Sequence, residues 1–197
     1  MKKYFPILHN INLPNMVTTL GLIFGVMACY YLFEGKLRES LVCLFFASLM
    51  DLIDGFFAVK LNQRTLFGKY ADSLVDFFIC CIIPMLMAFV FLDGNFLLFL
   101  CLGFYCVCGM WRLANFNTIT EKQTHFTGLP VPGAMLFVTI TIWFAHQYGS
   151  PVWVCMLVFF KTGLLMVSPL KLKKYGIGQK ALWLVWLLFF SSIILHF

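Results

Sequence analysis

Long apolar runs separated by short polar or glycine- and proline-containing breaks dominate the chain. Their approximate limits are 14–33, 40–61, 68–92, 95–114, 129–147, 151–168 and 180–197. Each approaches the roughly 20 residues that a helix needs to cross a bilayer. The pattern predicts an all-α, polytopic membrane helical bundle, and no polar stretch is long enough for a separate domain, so residues 1–197 read as a single integral membrane domain. Tyr4 to Ile11 mix apolar and polar groups, which suits a segment lying in the headgroup layer over residues 1–12. The closing run, Ile193-Ile194-Leu195-His196-Phe197, is read either as the end of a seventh span or as an interfacial terminus.

Composition sharpens this reading. Apolar residues make up 62% of the 197, well above the roughly 45–50% of soluble domains. The Met1-Lys2-Lys3 start is not read as a cleaved signal, because Pro6, His9, Asn10 and Asn12 interrupt its apolar region. Eleven of the 14 Lys and Arg residues fall in connections on one side of the predicted spans: Lys2, Lys3, Lys60, Arg64, Lys69, Arg112, Lys122, Lys171, Lys173, Lys174 and Lys180. Lys36 and Arg38 fall on the other side, and Lys161 lies inside the sixth span. By the positive-inside rule the chain is multi-pass, with its N-terminus and even-numbered connections cytoplasmic.

The net charge of +6 is spread through loops with no dense basic patch, so no nucleic-acid partner is expected. All eight cysteines lie in apolar runs without metal-ligand spacing and read as small packing residues. The tryptophans and phenylalanines read as lipid-facing or interfacial aromatics. His125 reads as a solvated loop residue.

The chain has eight acidic residues, and four of them, Asp51, Asp54, Asp72 and Asp76, fall near the connection of spans two and three. Spacings of three and four place each pair on one helix face. The short connection, 60–67, makes the two helices antiparallel neighbours whose acidic faces can converge. Four carboxylates in one intramembrane pocket require neutralisation by protons or cations, and an oxygen-only ligand set favours Mg²⁺ or Mn²⁺. A pair of such ions can bridge a phosphoanhydride during in-line displacement. Gly55 and Gly68, lacking side chains, allow a bulky group to approach both helices. Local ion pairs with Lys60, Arg64, Lys69 or Arg112, and a proton or cation pathway, are the competing readings of the acids.

Written as Asp51-x2-Asp54-Gly55-x2-Ala58 and Gly68-x3-Asp72-x3-Asp76, the pattern resembles the D-x-x-D-G-x-x-A-R-x8-G-x3-D-x3-D signature of the CDP-alcohol phosphotransferases. That resemblance implies a six-helix core, here with a seventh C-terminal helix, commonly as a homodimer. It implies transfer of a lipid phosphate from a CDP-activated donor to an alcohol, with release of CMP. Asp51, Asp54, Asp72 and Asp76 become metal ligands for two divalent ions, and Asp76 the general base. Gly55 and Gly68 line the cytidine site, with Thr18 and Thr65 near the ribose or diphosphate. Val59 stands where the signature has Arg, which leaves Lys60 and Arg64 as candidates for the diphosphate charge.

Arg112-Leu113-Ala114-Asn115-Phe116-Asn117 and Phe126-Thr127-Gly128-Leu129-Pro130-Val131-Pro132-Gly133-Ala134 resemble segments of the smaller, multi-span phosphatidylserine synthases. With Pro14-Asn15 and Thr18, the resemblance covers residues 13–135. Arg112 is the candidate clamp for the donor phosphate or the acceptor carboxylate, and Asn117 for the acceptor or as a helix cap. Asn115 occupies the place of that family's second Arg. The 128–133 run reads as an irregular lead-in to span five. The expectation is phosphatidyl transfer from CDP-diacylglycerol to L-serine at the cytoplasmic face, in contact with membrane lipid. Glycerol phosphate, inositol phosphate or choline as acceptor is the nearest alternative; an ion-transporting protein and a non-catalytic membrane scaffold are the more distant ones.

Overall fold

The computed structural model describes residues 11–92, 95–118, 125–173 and 177–195. In chain order its elements are α1 (Leu13–Phe33), α2 (Leu37–Lys60), α3 (Leu66–Phe77), a π-turn (Phe78–Ile82), α4 (Ile83–Phe91), α5 (Phe96–Thr118), β1 (His125–Thr127), α6 (Val131–Tyr148), α7 (Val152–Val167), β2 (Lys171–Lys173) and α8 (Ile177–Leu195). α3, the π-turn and α4 form one rod, Leu66–Phe91. Seven helical rods therefore stand among the described residues, one for each predicted apolar run, and the protein is an all-α polytopic bundle. Most of the proposed headgroup segment, and the 196–197 end of the last run, lie outside the described residues.

α1, α2, the Leu66–Phe91 rod and α5 are each long and apolar enough to cross a membrane; α7 and Leu184–Ile193 of α8 are shorter apolar helices. Their outward faces carry large apolar side chains, with Phe33, Leu74 and Phe96 each more than 70% exposed. In water so much exposed apolar surface would drive association, whereas lipid solvates it without penalty.

Small residues key α1 to its neighbours. Thr18, Gly21, Gly25, Ala28 and Leu32 form its buried stripe at helical spacing. A Cβ at Gly21 would come 3.3 Å from the Met50 Cβ, and one at Gly25 3.2 Å from the Phe78 ring. Close backbone approach of this kind drives helix association where no hydrophobic effect separates helix from lipid. A tight turn completes the α1–α2 hairpin: Gly35 takes φ +74 and the Lys36 amide bonds to the Tyr31 carbonyl.

The π-turn has an identifiable cause. Pro84 has no N–H to give to the carbonyl four residues earlier, at Cys80, and its ring crowds that carbonyl. The Ile83 amide reaches back five residues to Phe78, and the Tyr105 hydroxyl on α5 donates to the Cys80 carbonyl at 2.8 Å. Both residues are fully buried, so a carbonyl denied the proline's amide has a hydroxyl partner inside the bundle.

The structure adds a feature that the sequence pattern did not suggest. β1 and β2 pair antiparallel, His125 with Lys173 and Thr127 with Lys171. Gly128 follows at φ +78, donating to the Leu170 carbonyl at 2.7 Å, with its α-carbon against the Met166 carbonyl where no side chain fits. The segment read as an irregular lead-in is thus clamped to the end of α7. α8 packs on α2 through a Phe45–Phe190 stack at 3.9 Å and an edge contact of Trp186 with Phe45.

Candidate active site

The hairpin between α2 and α3 sets the site. α2 ends at Leu61, and Asn62 takes the left-handed conformation, φ 54, that Asn tolerates after a helix. Thr65 then caps α3, its hydroxyl accepting from the Gly68 amide at 3.0 Å. α1 packs closely on α2 and also against α3, while α2 and α3 approach each other only loosely. The acidic side chains occupy that space.

Asp51 from α2 and Asp72 and Asp76 from α3 converge, each offering an oxygen within 4.8 Å of the other two. The Asp51 carboxyl is within hydrogen-bonding reach of both partners. Asp54, 5% exposed, adjoins this group and accepts a hydrogen bond from the Thr18 hydroxyl on α1. Neither Lys60 nor Arg64 forms a salt bridge with these carboxylates among the described residues; the Lys60 ammonium lies 5.5 Å over the Phe56 ring. Three carboxylates so close repel unless a cation or shared protons neutralise them. The donors are all hard oxygens, converging from two helices at a spacing that one small divalent ion can span. The residues present therefore fit Mg²⁺ or Mn²⁺.

The other anticipated residues divide. A Cβ at Gly55 would meet nothing within 4 Å, so α2 presents open space there. At Gly68 it would lie 2.7 Å from the Asn15 Oδ1. Gly68 therefore lies against the Asn15 side chain of α1, which takes the place a Cβ would need. Arg112 is buried near the end of α5. Lys60 and Arg64 are exposed at the α2–α3 connection.

α5 continues to Thr118, past the predicted end at 114, and this brings Asn117 onto α3. The Asn117 Nδ2 donates to the Ser73 Oγ at 2.9 Å, and the Lys69 ammonium donates to the Asn117 carbonyl at 3.0 Å. Asn117 thus holds α3 one residue from Asp72. Ser73, Asn15 and Tyr105 were missed as contributors to the site. Ser73 had one signal in the sequence, a small hydroxyl on the turn between two acidic residues; Tyr105 had none, since its partner is a backbone carbonyl.

The bundle and its carboxylate cluster define a class: polytopic integral membrane proteins with an acidic site suited to a divalent metal. Within that class the chain belongs to the CDP-alcohol phosphatidyltransferase family, whose profile matches residues 11–194. It is similar to a CDP-diacylglycerol–serine O-phosphatidyltransferase of Bacillus subtilis, at 29% identity over 161 residues, covering 81% of this chain and 88% of that protein. A protein of the same name from Methanocaldococcus jannaschii is 30% identical over 172 residues, 87% of this chain and 78% of the relative. A CDP-diacylglycerol–glycerol-3-phosphate 3-phosphatidyltransferase of Aquifex aeolicus is 45% identical over 65 residues, 33% of this chain and 36% of the relative. The chain is a CDP-alcohol phosphatidyltransferase, an integral membrane transferase of phospholipid biosynthesis, and its family uses divalent metals.

Proposed function

We propose that this enzyme transfers the phosphatidyl group of CDP-diacylglycerol to L-serine, giving phosphatidylserine and CMP. The convergence of Asp51, Asp72 and Asp76 carries the reading of the chemistry. Serine as acceptor is supported by the names of the two relatives that align over most of this chain. Residues 1–197 serve as one membrane domain, with 13–135 carrying the reaction, and the enzyme acts as a homodimer by family analogy.

Asp51, Asp54, Asp72 and Asp76 are the proposed ligands, with Asp54 oriented by the Thr18 hydroxyl. Two divalent cations, Mg²⁺ or Mn²⁺, would be held by these four carboxylates and would supply positive charge toward the donor diphosphate. Asp76 takes the proton of the acceptor hydroxyl as its oxygen attacks the phosphorus that bears the diacylglycerol. The bond from that phosphorus to the oxygen bridging to CMP breaks, and CMP leaves with the bonding pair. The open surface beside Gly55 accommodates the cytidine, with Gly68, Thr65 and the exposed cations Lys60 and Arg64 on the same side. Lys60 and Arg64 stand nearest in sequence to Val59, where the family signature has Arg. Arg112 binds the donor phosphate or the serine carboxylate. Asn117 bears on the acceptor through its grip on Ser73. The site opens to the cytoplasmic face, following the distribution of Lys and Arg.

The Aquifex relative favours a second acceptor, glycerol 3-phosphate. The test is purified protein with CDP-diacylglycerol, Mn²⁺ and separate labelled serine, glycerol 3-phosphate, inositol phosphate and choline. Serine-dependent CMP release with labelled phosphatidylserine supports the assignment. Turnover only with another acceptor removes serine and leaves the chemistry standing.

A further inference from the structure

α5 holds the catalytic rod at two points that bracket Asp76. Three residues before it, Ser73 is bonded to Asn117. Four residues after it, Cys80 is bonded through its carbonyl to Tyr105. The second contact falls inside the π-turn, where the backbone departs from regular α-helical pairing because Pro84 cannot supply an amide. A π-turn inserts an extra residue into the helical repeat, so it fixes the rotation of the helix on either side of it. Tyr105 lies on the buried stripe Leu98, Leu102, Tyr105, Cys108, Gly109 and Arg112. Its ring is locked edge-on against Phe159 of α7 at 5.3 Å, and its hydroxyl therefore has a fixed position.

We propose that Tyr105 is a positioning residue for Asp76: its hydroxyl, by taking up the carbonyl that Pro84 leaves at Cys80, holds the π-turn in the register that turns Asp76 toward Asp51 and Asp72. The inference rests on the metal and base roles proposed above. Tyr105 does not touch the reacting groups. Removing its hydroxyl leaves packing volume nearly intact and takes a hydrogen bond from a buried carbonyl, which favours a shift in the helix's hydrogen-bond pattern. Asp76 turns with it.

The test is a double-mutant cycle of Tyr105→Phe and Pro84→Ala in the full-length protein, read by Mn²⁺ binding in electron paramagnetic resonance and by steady-state CMP release. Loss of an outer-shell partner costs about 10- to 100-fold in metal affinity or activity. Tyr105→Phe is expected to weaken Mn²⁺ binding and kcat by about 10-fold, with KM for each substrate changed less than about two-fold. Pro84→Ala restores an amide that can serve the Cys80 carbonyl, so in that background the Tyr105→Phe loss shrinks to about two-fold or less. An equal loss in both backgrounds overturns the proposal, as does parent-like Mn²⁺ binding in Tyr105→Phe. Asp76→Asn, measured alongside, separates the two readings. If Asp76→Asn retains full activity, the base assignment fails; if it is inactive while Tyr105→Phe is unchanged, only the positioning role of Tyr105 fails.

Discussion

The Thr18 hydroxyl on α1 donates to the Asp54 carboxylate on α2, linking two helices at the edge of the acidic cluster. Asp54 is buried and has like-charged neighbours, so the bond fixes one of its oxygens beside the cluster. Thr18→Val keeps the shape and removes the donor. We expect a fall of about 10-fold in Mn²⁺ affinity and in kcat, measured by Mn²⁺ titration of activity, with restoration by Thr18→Ser.

Asp76→Asn retains size and polarity but cannot accept a proton. If Asp76 is the base, CMP release falls by about 10²- to 10⁴-fold. The fall persists at saturating Mn²⁺ and CDP-diacylglycerol, which separates loss of the base from weakened metal binding. Single-turnover assays with labelled donor check this.

The two glycines of the acidic motif should behave oppositely. At Gly55 a methyl group meets no protein atom within 4 Å, so Gly55→Ala folds normally and raises KM for the CDP donor. At Gly68 the methyl displaces the Asn15 side chain, which lies 2.7 Å away. Gly68→Ala therefore loosens α1 from α3 at a cost of about 1 kcal/mol, a fall of about 2–4 °C in Tm. Thermal unfolding in detergent, run beside donor kinetics, distinguishes them.

Gly128 combines a left-handed backbone with a blocked Cβ position. Gly128→Ala is expected to release β1 from β2. Amide exchange at Gly128 and Leu129, whose N–H groups bond to Leu170 and Leu165, then rises by about 10-fold or more, while exchange in α2 and α3 stays unchanged.

The bundle was legible because hydrophobic length is a direct record of bilayer thickness: all seven predicted runs coincide with helical rods, though α5 extends past its predicted end. The acidic cluster was legible because carboxylates are rare in apolar spans and three- and four-residue spacing fixes their face. The β1–β2 ladder was not, since three-residue strands are too short to show alternation and the partner lies more than 40 residues away. The bond of Asn117 to Ser73 was not legible, because only the extended α5 brings Asn117 to α3. The contact of Gly68 with Asn15 was not legible, because sequence cannot tell which neighbour lies beside a missing side chain. The π-turn follows from Pro84, yet its remedy, the Tyr105 hydroxyl, comes from another helix and leaves no local trace.

Direct Mn²⁺ binding to the purified protein in detergent, followed by electron paramagnetic resonance, tests the central claim that Asp51, Asp72 and Asp76 jointly hold a divalent ion. The account predicts saturable binding to the parent protein and loss of at least about 10-fold in affinity in each of Asp51→Asn, Asp72→Asn and Asp76→Asn. Folded variants that bind Mn²⁺ as tightly as the parent would contradict it.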